Sequence, residues 1–148
     1  MSGRVVDAVR GRRVDQGRLI EHAEPVLTGR LLAESLVIGA DLEVPDLRLV
    51  RCGRHDVAGS VTPDQPTVWT FVDFEAPDDR AVELAAALSA VLQEGGGWYA
   101  DFRTDDTHFV VFAGRVFSYS KGDPEGRAAA VAHGRAVGVP ESQLDWDA

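Results

Sequence analysis

The sequence predicts an α+β domain: a mostly antiparallel sheet of four or five strands, helices packed mainly on one face, and a helical N-terminal extension. Three stretches carry that reading. Residues 98–121, WYADFRTDDTHFVVFAGRVFSYSK, read as three short strands joined by two tight turns. Residues 68–75, VWTFVDFE, are rich in β-branched and aromatic side chains and are bracketed by Pro66 and Pro77. Between them, Ala81, Leu84, Ala85, Leu88, Val91 and Leu92 form an apolar stripe at helical spacing. The expected order is β-β-α-β-β-β-α.

In chain order, residues 1–17 show no sustained apolar period and read as a poorly ordered lead-in. Residues 18–46 read as the helical extension. Leu19, Ile20 and Ala23, then Leu31, Leu32 and Leu36, recur at helical spacing on either side of a break at Pro25. Residues 47–148 then form the single α+β domain. Its first strand passes through Leu47, Leu49 and Arg51 to about Gly53, and the segment from Arg54 to Pro66 reads as a loop. In the strand at 68–75, alternation sets Trp69, Phe71, Asp73 and Glu75 on one face. Val68, Thr70, Val72 and Phe74 take the other, which faces the core. Asp78 and Asp79 are cap candidates for the helix that follows, and Gly95 to Gly97 end it.

A two-residue turn at Asp105 and Asp106 sets Thr104 opposite Thr107, Arg103 opposite His108, Phe102 opposite Phe109 and Asp101 opposite Val110. Trp98, Ala100, Phe102, Phe109 and Val111 then share a core face. Tyr99, Asp101, Arg103, His108, Val110 and Phe112 share the reverse. A three-residue turn at Ala113, Gly114 and Arg115 places Phe117 and Tyr119 with the core set; a shift of one residue reverses them. Asp123 as N-cap and Pro124 as the first helical residue open the last helix, whose apolar line is Ala128, Val131, Ala132 and Ala136. Gly126 and Gly134 each cost it about 1 kcal/mol relative to alanine unless backbone packs closely there. Leu144 and Trp146 are positioned to staple the C-terminus to the body.

Composition narrows the function classes. The chain has 148 residues, 45% hydrophobic and 26% charged, which suits one globular domain. No apolar run approaches the roughly 20 residues of a membrane span, and residues 1–18 lack the apolar core of a secretory signal. The lone cysteine, Cys52, allows no intrachain disulfide and is expected to be buried and inert. A cytoplasmic, bacterial protein is expected, the latter from fourteen arginines to one lysine and abundant Ala, Val, Gly and Asp. The net charge is −9, with +1 in residues 1–55 and −10 in 56–148, so the main body repels phosphate backbones and nucleic acid is not the expected partner.

The candidate site lies on the sheet face away from the predicted core: Trp69, Asp73, Glu75, Tyr99, Asp101, Arg103, His108 and Phe112. Aromatic rings set among carboxylates suit an interaction surface. The leading expectation is a non-enzymatic, acidic protein-binding domain of an immunity or antitoxin-like kind, engaging a basic partner through that face. The alternative is a small-molecule binder holding an apolar or aromatic metabolite between the sheet and the N-terminal helices. A homodimer burying the face is a further expectation. A hydrolase using Asp73, Asp101 and His108 ranks below these, since such a cluster is more often a solvated face of weak cross-strand ion pairs. No cofactor is expected and no metal, because no ligands recur at zinc-site spacing.

GWYADF at 97–102, VVF at 110–112, YSKGD at 119–123 and GVPESQLDW at 138–146 together resemble a family of small uncharacterised bacterial proteins, over roughly residues 66–147. The resemblance implies a single compact domain in that part of the chain. It implies no activity, cofactor or catalytic residue.

Overall fold

The computed structural model describes residues 25–146, and the first of these to enter the sheet are ones the sequence assigned to helix. Strand β1 (Val26–Leu32) lies in the interior of a six-stranded antiparallel sheet. The other strands are β2 (Arg48–Asp56), β3 (Val68–Pro77), β4 (Ala100–Arg103), β5 (Thr107–Phe112) and β6 (Arg115–Ser120). Their spatial order is β2-β3-β1-β4-β5-β6. With helices α1 (Ala81–Val91) and α2 (Pro124–Ala136), the class is α+β, with six strands in place of four or five. Over residues 25–46 the expected helical extension is replaced by β1 and a short 3-10 turn; residues 1–24 lie outside the described residues.

The physical reason is local. Pro25 and Gly29 both penalise a helix, and Leu27, Gly29 and Leu31 alternate, so a strand buries both leucines on one face. Gly29 lies opposite Phe74 on one side and Phe102 on the other. A Cβ there would stand 2.7 Å from Phe74 Cζ and 2.7 Å from the Asp101 carbonyl oxygen, and closer still to Phe102 Cβ. The two rings occupy the space that glycine leaves.

The β4–β5 register is the one the sequence predicts, with Asp101 opposite Val110 and Arg103 opposite His108. The next turn is shorter than expected. Phe112 pairs with Arg115, so Ala113 and Gly114 alone make the bend, with Gly114 at φ 72°. Phe117 therefore shares a face with Val110 and Phe112, not with Phe102.

The helices lie on opposite faces, not mainly on one. Leu84, Ala85 and Leu88 of α1 pack with Leu27, Phe74, Phe102 and Val111. Ala130 and Val131 of α2 pack with Val110, Phe112, Tyr119, Leu144 and Trp146. Both faces of the β4–β6 half are thus core, and Val110 and Val111, adjacent in the chain, are each fully buried. Asp123 caps α2 as expected, accepting from the amides of Glu125 (3.1 Å) and Gly126 (3.2 Å). At α1 neither Asp78 nor Asp79 caps by a side-chain bond; they form a 3-10 turn, and Arg80 stands at the N-cap, paired to Glu83 and Asp46. The C-terminal segment docks as expected: the Arg127 guanidinium donates to the carbonyls of Trp146 (2.7 Å) and Leu144 (3.2 Å).

Beyond β1 the sheet is less covered. Strand β2 is an edge strand carrying Arg48, Arg51 and Arg54 with a register shift between Leu49 and Arg51. Charged residues and bulges of this kind discourage edge-to-edge pairing. Cys52 sits on this strand and is exposed, contrary to expectation. No helix among the described residues is long and apolar enough to cross a membrane.

Candidate functional site

α2 and the C-terminal segment cover only the β4–β6 half of their face, which leaves a step where the covered half meets the open one. At that step is a cleft of about 350 Å³. Trp69 and Phe71 of β3, with Trp98 and Tyr99 from the approach to β4, supply its aromatic lining. Arg30 of β1 and Asp101 of β4 supply charges from the sheet. Val57 and Ser60, after β2, and Ser142, Gln143 and Asp145, from the C-terminal segment, also line it.

Each aromatic wall has an identifiable support. The Trp69 and Trp98 rings lie 5.9 Å apart at 55°, and Phe71 meets Trp69 edge-on at 6.2 Å. Tyr99 packs edge-on against Trp146 at 4.9 Å, and its hydroxyl donates to the Gln143 carbonyl at 2.7 Å. Gln143 in turn donates from its side chain to the Ser60 carbonyl, joining the C-terminal segment to the loop after β2. Burial raises the Tyr99 pKa well above the ordinary phenol value, and the negative charges of Asp101 and Asp145 push it further the same way.

The predicted site residues divide between this cleft and other roles. Trp69, Tyr99 and Asp101 line the cleft together. Asp73 and Glu75 lie on the same face of β3, but each is matched by an arginine: Arg30 bonds Asp73 at 2.7 and 3.2 Å, and Arg48 pairs with Glu75. Arg30 thereby holds the Asp73 carboxyl below its ordinary range, while its own guanidinium lies 4.9 Å from the centre of the Phe71 ring. Arg103 reaches to 3.8 Å from Asp101. His108 is only 2% exposed, with Nε2 at 2.8 Å from Asp101 and Nδ1 at 3.2 Å from the Tyr119 hydroxyl. Phe112 is not on a surface at all; it is core beneath α2, against His133 and Trp146.

β3 and β4 do not adjoin, because β1 runs between them. Arg30 pairs in register with both Asp73 and Asp101, so two strand spacings, roughly 9.5 Å, separate those carboxylates at the backbone. Both His108 ring nitrogens are engaged inside the protein. Asp73, Asp101 and His108 therefore do not assemble an acid–base pair open to a substrate. Among the described residues no group of three or more His, Cys, Asp or Glu side chains is placed to hold a metal ion.

Several lining residues were not anticipated. Strand alternation extended back from Ala100 puts Trp98 on the core face, whereas its side chain lines the cleft. The strand begins only at Ala100, and Gly95, Gly96 and Gly97, all at φ near 74°, reorient the chain before it. That triple glycine was the available signal. Arg30 was hidden in a supposed helix, and Gln143 and Asp145 reach the cleft only through the tertiary docking of the last residues. Comparison with protein-family models, with curated proteins and with solved structures finds no match to this chain.

Proposed function

We propose that this protein is a non-enzymatic binding domain whose ligand is a small molecule seated in the aromatic cleft. One observation carries the reading: Trp69, Phe71, Trp98 and Tyr99 line a single cleft of about 350 Å³. That is within the size range of small-molecule sites, where apolar and aromatic walls supply contact area and a few polar groups fix orientation. The alternative reading from sequence placed such a site between the sheet and N-terminal helices. Here its second wall is the C-terminal segment.

The protein-partner reading stands second. It drew on an acidic sheet face, yet Asp73, Glu75 and Asp101 each have a cationic neighbour within the fold. The uncovered face is charge-balanced, which weakens long-range attraction of a basic protein.

The test is a fragment screen followed by ¹H–¹⁵N spectra of the tryptophan indoles. Binding in the cleft shifts the Trp69 and Trp98 indole signals, while Trp146, packed beneath α2, moves less. A diverse library that shifts none of the three counts against the reading.

A further inference from the structure

We infer that the cleft selects an organic cation, an alkylammonium group held between the aromatic walls and the carboxylates of Asp101 and Asp145. The inference rests on the small-molecule reading and names the ligand's chemistry.

The walls come first. Indole has the most negative face of the aromatic side chains, and two indoles and a phenol are in the lining of the cleft, where an ammonium group can rest against them. The fold already places cations this way: Arg30 sits over Phe71 at 4.9 Å, and Arg115 over Phe117 at 4.6 Å.

The charges of the lining agree. Arg30, Asp101 and Asp145 are its ionisable groups other than Tyr99. Arg30 is doubly bonded to Asp73, so that pair brings no net charge to the site. Asp101 is hydrogen-bonded to His108 at 2.8 Å and is partly balanced by Arg103 at 3.8 Å. Asp145 is exposed at the rim. Both carboxylates lie in the lining of the cleft, where they can face a bound cation. An anion would meet both carboxylates, and Arg30, the one cationic side chain among the described residues of the lining, already gives two of its donors to Asp73. A cation meets the two carboxylates favourably.

The test uses three probes of nearly equal size at constant ionic strength: choline, its uncharged isostere 3,3-dimethylbutan-1-ol, and the anion 3,3-dimethylbutyrate. The readout is the indole shifts of Trp69 and Trp98 in the full chain. Choline is expected to bind at least about tenfold more tightly than the alcohol, with the anion weaker still. Asp145→Asn, an exposed and fold-neutral change, is expected to weaken choline about two- to fivefold and leave the alcohol unchanged. Equal binding of choline and the alcohol would overturn the cation inference while leaving the cleft reading intact. No shift with any probe overturns it too, and the fragment screen then decides the cleft reading separately. The same chemistry can come from a free amine or from a lysine side chain. An acetylated Gly-Lys-Gly peptide run beside choline distinguishes the two by which binds more tightly.

Discussion

Gly126→Ala sets helix propensity against packing, and the structure decides the sign. Alanine in a helix interior is favoured over glycine by about 0.8–1 kcal/mol, so α2 taken alone would gain stability. In the fold, a Cβ at Gly126 would stand 3.0 Å from Tyr119 Cγ and 2.8 Å from Asp123 Oδ2, and nearer still to Tyr119 Cβ. Ordinary carbon contacts are about 3.5–4.0 Å. Tyr119 Cβ is fixed to the β6 backbone and cannot rotate away, so the helix itself must lift, and the capping carboxylate of Asp123 must shift with it. Overpacking of this kind costs about 1–3 kcal/mol. The balance is a net loss of about 1 kcal/mol, lowering Tm by about 3–5 °C for a domain of this size. Urea and thermal unfolding of the purified variant measure it. Gly59→Ala serves as the reference, since nothing lies within 4 Å of a Cβ there, and should stay within about 0.5 kcal/mol of the parent. A Gly126→Ala protein more stable than the parent would show that the helix does not approach β6 this closely.

Two further outcomes follow from the same packing and charge arrangement. Trp146→Ala empties a site touching Tyr99 and Phe112 and should cost about 3–5 kcal/mol in urea unfolding, with a loss below about 1 kcal/mol refuting its place in the core. The Arg30 hydrogen bond holds Asp73 below its ordinary value of 3.8, so the stabilisation is complete above that value and is lost as pH falls through the lower folded one. Asp73→Asn should therefore flatten the fall of stability with acid below about pH 4; curves that stay parallel to the parent would show that the pair contributes nothing to acid sensitivity.

The parts of the molecule legible from sequence are those decided by near neighbours. The Asp105–Asp106 turn fixes the β4–β5 register within a few residues, and Asp123–Pro124 sets the start of α2 through its own amides. The β1 strand was not legible because Leu19 to Leu36 satisfies a helical period almost as well as an alternating one. What selects the strand is the partner on each side, β3 more than forty residues away and β4 more than seventy. The candidate site inherited that error. Trp69, Tyr99 and Asp101 were identified by chemistry and do meet, but the wall that turns them into a cleft is built by Gln143 and Asp145, whose docking no local pattern encodes.

Gln143 has a consequence for how the molecule breathes. Its carbonyl accepts from Tyr99, its side chain donates to the Ser60 carbonyl, and its Nε2 lies 3.4 Å from Gln65 Oε1. Two surface segments separated by 83 positions in sequence are thus fastened through one amide. Neither can swing outward without releasing the other, so they form one cooperative opening unit. Their backbone amides should exchange with solvent in concert, and a ligand that bridges the cleft should slow both together.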